Sequence, residues 1–572
     1  MKGKHRMKKN VRLITACLAA VLLLAIAGTA LAASMEVTFT WTVEGHEFSV
    51  GLDKKQTGKY VLYLPGAFKG QDPVFTVNQK TDMVWDGVTY QSGSTIPVSQ
   101  YAGQTVPVSF TGGQGKWSVK VMQGSAIPAL QIHVTENDLK RVTVKRDRDI
   151  TEPADMIMVT EDGRLNAAET LTTFKARGNS TFFAQKKPFT FKTENKADLG
   201  GMGRNKTWIL LANWYDVSLI RNQITFDLFR QVGMPYTPDC RQVDLYLNQK
   251  YNGTYLLTEK IQLKKHRLEI TDLEEEYEAL NGKEAYDNAK CKYVRYNGVN
   301  IRWYDLEKEP EDITGGYLLE LEKPLYYSEK KDHAGVKTET NMCVTIKEPT
   351  HAGQRGTEYI SDLISGFHNA AIAPDGHNQD GRYYAEYIDM HSFALKAAID
   401  EFCINYDVRA ASQFMYKERD SIDPLLYAGP AWDYDWSYGN HTNGVKDPKT
   451  MDYVFQRSSV YWFLTHWLLT HEDFQQAARK AYEEEVYPAA EILLGRREAP
   501  QGSALKTLDE YKAAIADSAA MNYTRWSAKP VPDVYEGSGQ NFEDAFTYLK
   551  NWVGIRTDAL LEGWVPGQNK RK

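Results

Sequence analysis

The sequence predicts a multidomain protein: an N-terminal β-sandwich of immunoglobulin-like type, then an α+β core with a helical C-terminal half. Three observations predict it. The chain has 572 residues, more than a single hydrophobic core organises. About a hundred residues near the N-terminus alternate apolar and polar side chains between short turns. Beyond residue 150 short strands mix with helical spacing, and beyond residue 440 the helical spacing alone remains.

The elements follow in order. "MKGKHRMKKNVR" is a basic leader, and "LITACLAAVLLLAIAGTALA" is a long apolar run ending in a small-residue signal. Residues 1–33 therefore read as a secretory signal cleaved after Ala32. Retention as a membrane anchor is the alternative, because the apolar run reaches the length of a spanning helix. Residues 35–135 hold "MEVTFTWTV", "YVLYLP", "TVPVSF" and "WSVKVM", which read as sandwich strands. A polar join, "HVTENDLKRVTVKRDRDITEPAD", leads to the core of residues 150–440. There "SLIRNQITFDLFRQVG" places Ile220, Ile224, Leu228 and Val232 on one helical face and stops at Gly233 before Pro235. "RQVDLYLNQKYNGTYLLTEKI" reads as a hairpin turning at Asn252-Gly253. Residues 262–313 are charged and read as a surface insertion. "TGGYLLELE" is a strand, and "MHSFALKAAIDEFCI" a helix that runs into "NYD". Residues 441–565 carry "YWFLTHWLLT", "FQQAARKAYEEEVYPAAEILL", "DEYKAAIADSAAM" and "AFTYLKNWVGIRTDALLEGW", all at helical spacing.

Charge narrows the partners. Lys and Arg number 68 against 74 Asp and Glu. Six of those cations crowd the first twelve residues, so the remainder is more acidic still. No basic stripe stands out, which argues against nucleic acid. Beyond Cys17 the cysteines are Cys240, Cys291, Cys343 and Cys403. They are too far apart for a disulfide framework or a zinc site, and read as buried thiols.

The chemistry centres on "GPAWDYDWSYGN", where Asp433 and Asp435 sit among tryptophans. A carboxylate beside such bulky apolar groups needs a cation, a metal or several donors. Upstream, Asp407 lies just past a helix, and "MYKE" and "PLLYAGPAWDYD" read as a short hairpin between the aspartates. Protein kinases use this order: one Asp orients the acceptor hydroxyl, and a second, past a short hairpin, holds Mg²⁺ on the nucleotide phosphates. Mg²⁺ suits one or two carboxylates completed by phosphate oxygens and water. Arg177, Lys186, Lys187 and Lys192 crowd an upstream turn and strand, where a kinase needs phosphate-neutralising charge. No glycine-rich phosphate loop of either common type is present, and "DYD" stands where D-F-G would be.

The series "RGNST…KKPF", "WILLANWYDVSLIRNQ…DL…G…YTP", "VDLYLNQKYNGTYLLTEK", "GGYLLELE" and "WDYDWSYGN" resembles the spore-coat CotH family of kinase-like proteins, over roughly residues 150–565. The resemblance implies an atypical protein-kinase-like fold, secreted or spore-associated. It implies ATP and Mg²⁺ as cofactors and serines of a partner protein as acceptors. By motif, Asp407 would be the catalytic base, Asp433 a metal ligand and Asp435 a second. Lys187, or else Lys186, would be the strand lysine. Arg177 faces the phosphates or bonds hairpin carbonyls. Glu259 pairs with a phosphate-binding lysine or makes a structural ion pair. Tyr427 or Trp432 stacks on adenine or belongs to the core. One departure stands out: kinases hold a second metal with an Asn just past the base, and here "DVRAASQF" offers Ser412 and Gln413.

Other readings remain open. D-x-D pairs occur in sugar-nucleotide transferases and in haloacid-dehalogenase phosphatases, but neither companion pattern is found here. The rival of a different class is a non-catalytic secreted protein of surface or coat assembly, with the sandwich as its binding module.

Overall fold

The computed structural model describes residues 35–112, 115–144, 147–329, 331–338, 341–407, 412–453, 467–526, 531 and 533–565. The expected leader lies outside them, as does most of the expected helix "YWFLTHWLLT". No described helix is long and apolar enough to cross a membrane. The protein is a multidomain mixed α/β chain, with several sheets and two compact units.

The first unit comprises the chain up to Trp41 with Ser49–Leu62 and Gly70–Met122. Its strands are β1 (Val37–Val43), β2 (His46–Gly51), β3 (Asp53–Gln56), β4 (Lys59–Leu64), β5 (Val74–Val77), β6 (Met83–Trp85), β7 (Val88–Tyr90), β8 (Thr105–Phe110) and β9 (Lys116–Gln123). They form a three-stranded sheet, β2-β1-β5, and a six-stranded sheet, β3-β4-β9-β8-β6-β7. The two sheets bury their apolar alternates. Phe39 meets Trp85 edge-on at 6.0 Å, and both are fully buried.

The second unit holds Thr42–Phe48, Tyr63–Lys69 and everything from Gln123 on. Its first strands are β10 (Ala129–His133), β11 (Glu152–Val159), β12 (Leu165–Ala176), β13 (Phe189–Asp198), β14 (Arg204–Leu211), β15 (Cys240–Leu247) and β16 (Lys250–Glu259). They close into a barrel in the order β10-β11-β12-β13-β14-β16-β15. Closure is made by the parallel pairing of β10 with β15. The sandwich boundary expected at residue 135 is thus corrected. "ALQIH" has the alternation of any half-buried strand, but its partners are β11 and β15. Leu130 and Ile132 fill the barrel core with Phe174, Phe191 and Trp208. The polar join contains a helix, Glu136–Val144.

The β15–β16 hairpin exists, but it turns at Asn248-Gln249, not at Asn252-Gly253. Gly253 has φ +116° and lies inside β16, beside a shift in register. A Cβ there would sit 2.7 Å from Asn522 Oδ1 and 2.8 Å from Lys186 Cε. The glycine therefore serves a close approach rather than a turn.

The periodic segment before Gly233 is a helix, Arg221–Gln231. Asp216 starts it, accepting from the Arg221 backbone N–H at 2.7 Å and pairing with the buried Arg221 guanidinium. The charged stretch that reads as an insertion is partly structural. It supplies β17 (Lys290–Tyr296) and β18 (Val299–Asp305), which join β19 (Tyr317–Glu322), β20 (Gly335–Lys337), β21 (Cys343–Glu348), β22 (Gln413–Lys417) and β23 (Leu426–Ala428). This seven-stranded sheet runs β17-β18-β20-β21-β19-β22-β23. The helices Gln354–Ile372, Met390–Cys403, Glu472–Ala481, Leu508–Arg525 and Phe542–Trp564 share one apolar core with it.

If β10 belongs to the barrel, Ile132→Ala should destabilise the second unit by about 2–5 kcal/mol, the usual cost of emptying a core site. Chemical denaturation followed through the second unit's tryptophans checks this. An unchanged midpoint for that unit would return β10 to the first one.

Candidate active site

Strand alternation builds one wall of a cavity of about 570 Å³. Along β12, β13 and β14 one set of side chains, including Phe174, Phe191 and Trp208, points into the barrel. The opposite set, Thr173, Lys175 and Arg177, Thr190 and Lys192, Thr207, Ile209 and Leu211, lines the cavity. Lys260, one residue past β16, adds a cation to the same wall. The opposite wall comes from the seven-stranded sheet: Leu318 and Glu320 on β19, Lys347 on β21 and Phe414 on β22. Asp407, Ser412, Trp432, Asp433, Asp435 and Trp436 complete the lining.

The cavity thus brings together Arg177, Asp407, Asp433 and Asp435, which lie up to 258 positions apart in the chain. The Asp433 Oδ2 accepts from Ser412 Oγ at 3.2 Å. The Arg177 guanidinium lies 5.4 Å over the Trp432 ring, which is stacked on Phe226. Burial pushes the Asp433 carboxyl up, and Arg177 and Ser412 oppose that push. Asp435 is buried and its carboxyl is pushed well up, by burial first and then by Asp433, Asp407 and Asp216. Arg221 opposes only weakly against three anions. These carboxyls are short of positive charge, so the site favours a proton or a cation. Among the described residues no group of three His, Cys, Asp or Glu is placed to hold a metal unaided. A pair of carboxylates completed by ligand oxygens fits this set instead.

Five sequence candidates, Lys186, Lys187, Glu259, Gln413 and Tyr427, lie outside the lining. Lys187 donates to the Phe182 carbonyl and sits 5.0 Å over that ring. Glu259 pairs with Arg267 at 2.8 Å, and burial raises its carboxyl to about 7 against the pull of that arginine. Tyr427 stacks on Tyr416 and donates to Asp423 at 2.7 Å. Lys186 is 2% exposed, donates to the Thr254 carbonyl, and is pushed down to about 7 by burial, with Asp244 opposing. Gln413 accepts from Lys396 at 2.7 Å. Both lysines precede β13, so no strand alternation aims them at the cavity. The cations that the alternation does aim there are Lys175 and Lys192, with Arg177 just past the end of β12. Lys175 shares the parity of Arg177, and that signal was available in the sequence. Lys260 and Lys347 depend on pairing between distant strands.

The model of the family described as CotH kinase protein matches residues 174–560. The chain belongs to the CotH kinase family. No curated protein matches it. The CotH match begins on β12, just before Arg177, and ends in the last helix. It contains every lining residue named above except Thr173, and it excludes the first unit.

The raised Asp435 carboxyl makes a prediction about pH. The folded state holds this proton to a higher pH than the unfolded chain, so stability falls as pH rises above the ordinary carboxylate value near 4. Asp435→Asn removes that loss. Without added divalent ions, the variant should melt a few degrees above the parent at pH 7.5, and the gap should close by pH 4. A parent equally stable at pH 7.5 would mean that Asp435 carries no uncompensated charge.

Proposed function

We propose that this CotH family member is an ATP- and Mg²⁺-dependent protein kinase that phosphorylates serines of a partner protein outside the cytoplasm. One observation carries the reading: a single cavity joins a cation-lined wall to Asp407, Asp433 and Asp435, and burial pushes the carboxyls of Asp433 and Asp435 up. Mg²⁺, when bound, would neutralise and orient the triphosphate. Asp433 and Asp435 would hold it, and their shortage of positive charge supports that role. Arg177 and Lys175, on the parity that faces the cavity, meet the phosphate oxygens. Lys192 and Lys260 extend the cationic wall, with Lys347, paired to Glu320, across from them, and supply the attraction that the missing glycine-rich loop provides in other kinases. Apolar lining from Ile209, Leu318, Phe414 and the two tryptophans suits a base and excludes water, which strengthens each charge interaction inside.

Asp407 accepts the hydrogen bond of the acceptor serine and orients its oxygen toward the γ-phosphorus. The new O–P bond forms as the bridging O–P bond breaks and ADP leaves. The serine proton passes to Asp407 or to the departing phosphates. Ser412 holds the Asp433 carboxylate, and Gln413 is engaged by Lys396, so Asp435 is the stronger candidate for the second ligand. The basic, apolar leader supports export to a cell surface or spore coat.

The two aspartates should fail differently. Asp433→Asn should abolish the Mg²⁺ dependence of ATP binding. Asp407→Asn should keep binding and lose transfer by about 10²-fold or more, the scale of a general-base role. Calorimetric titration alongside phosphoserine mass spectrometry reads both. Full transfer in both variants would sink the kinase reading in favour of a non-catalytic assembly protein.

Cation placement gives a second test. Lys175→Ala should weaken Mg-ATP binding by about tenfold, the scale of one charge-assisted hydrogen bond, and Lys187→Ala should leave it within about twofold. The reverse order would restore Lys187 as the phosphate lysine.

A further inference from the structure

Asp433 has φ +68°, a left-handed conformation that side-chain-bearing residues rarely adopt. Such backbone persists only where its surroundings over-determine it. Here three buried asparagines hold three consecutive residues. Asn405 Nδ2 donates to the Asp433 carbonyl at 3.2 Å. Asn222 Oδ1 accepts from the Tyr434 N–H at 2.7 Å. Asn440 Nδ2 donates to the Asp435 carbonyl at 2.7 Å. Asn405 and Asn440 have no exposed surface, and Asn222 has 3%.

The three come from separate parts of the chain: the turn after the Met390–Cys403 helix, the start of the Arg221–Gln231 helix, and the Gly-Asn that follows the loop. Each is anchored in turn. Asn222 Nδ2 donates to Asn213 Oδ1 at 3.2 Å, and Asn440 Nδ2 also reaches the Tyr215 carbonyl at 2.7 Å. Asn405 is tied to the second aspartate: its Oδ1 accepts from the Asp407 N–H at 3.0 Å. One amide therefore fixes the backbone of both aspartates. A carboxamide suits this because it donates from one end and accepts at the other. A carboxylate of the same shape cannot donate to Asp433.

We infer that Asn405 is a positioning residue that sets Asp407 against Asp433 through the backbone of each. Its catalytic consequence rests on the kinase reading above. When Asn405 is lost the Asp433–Asp435 segment keeps the holds of Ser412, Asn222 and Asn440, whereas Asp407 loses its N–H acceptor, so turnover falls more than nucleotide affinity.

The test uses the full chain with Asn405→Ala, and with Asn405→Leu, which fills the site but neither donates nor accepts, should the alanine variant not fold. With Mg-ATP, kcat should fall roughly 10- to 100-fold and the KM for ATP should change less than about threefold. In an Asp407→Asn background, Asn405→Ala should cost less than about threefold more, because the loss runs through Asp407. Equal losses in both backgrounds would indicate a merely structural residue and overturn the inference. Amide hydrogen exchange gives a readout independent of activity. Asn405→Ala should deprotect Asp407 and the Asp433–Asp435 loop together and leave the Met390–Cys403 helix protected. That pattern in a chain that never transfers phosphate would uphold the clamp and defeat the kinase reading. Unchanged exchange at both aspartates would overturn the clamp whatever the activity.

Discussion

The charge shortage at Asp433 and Asp435 organises the second unit. Burying a carboxylate is costly unless positive charge or donors replace the water it loses. Here Asp433 and Asp435 share a cavity with Asp407 and Glu320; Asp433 and Asp407 add to the cost at Asp435, and Glu320 adds to it at Asp433. Protein groups offset part of this: Arg177 and Ser412 at Asp433, Arg221 at Asp435. The remainder is left for a ligand. On the proposed reading such a deficit, with Lys175 and Lys192 on the barrel wall, suits a cation and an anion that arrive together. A metal–triphosphate complex has that composition.

The barrel makes the arrangement possible. Closure by β10 gives β12, β13 and β14 a dry inner face, so their other face is free to carry Lys175, Arg177, Lys192 and the threonines between them. The seven-stranded sheet supplies the facing wall. The turn after the Met390–Cys403 helix and the loop after β23 then deliver Asp407 and Asp433 to one end. The asparagines that hold those two segments are as buried as the aliphatic core, which is consistent with geometry rather than solubility setting their identity.

Much of this was legible in the sequence where the signal is local. The helix before Gly233, the β22–β23 hairpin between the aspartates and the helix feeding "NYD" all depend on spacing within a dozen residues. Asp407, Asp433 and Arg177, singled out from the order of their elements, line one cavity. What was missed depends on partners far away. "ALQIH" cannot announce that it pairs with a strand more than a hundred residues on. Asn252-Gly253 has the composition of a hairpin turn, yet its glycine answers to the close approach of Lys186 and Asn522. The motif points to Lys187, whereas β12 alternation puts Lys175 on the face of Arg177. Tyr427 and Glu259 have chemistry suited to a ligand, but nearer partners, Asp423 and Arg267, hold them.

On the proposed reading the buried carboxylates take a divalent cation carried by a triphosphate. Calorimetric titration of the full chain with Mg-ATP near pH 7, in two buffers of different ionisation enthalpy, tests it most directly by counting protons. Binding should release protons, and the titration should be weaker and without that release when EDTA removes the metal. Binding that is indifferent to Mg²⁺, or that takes up protons, would contradict it.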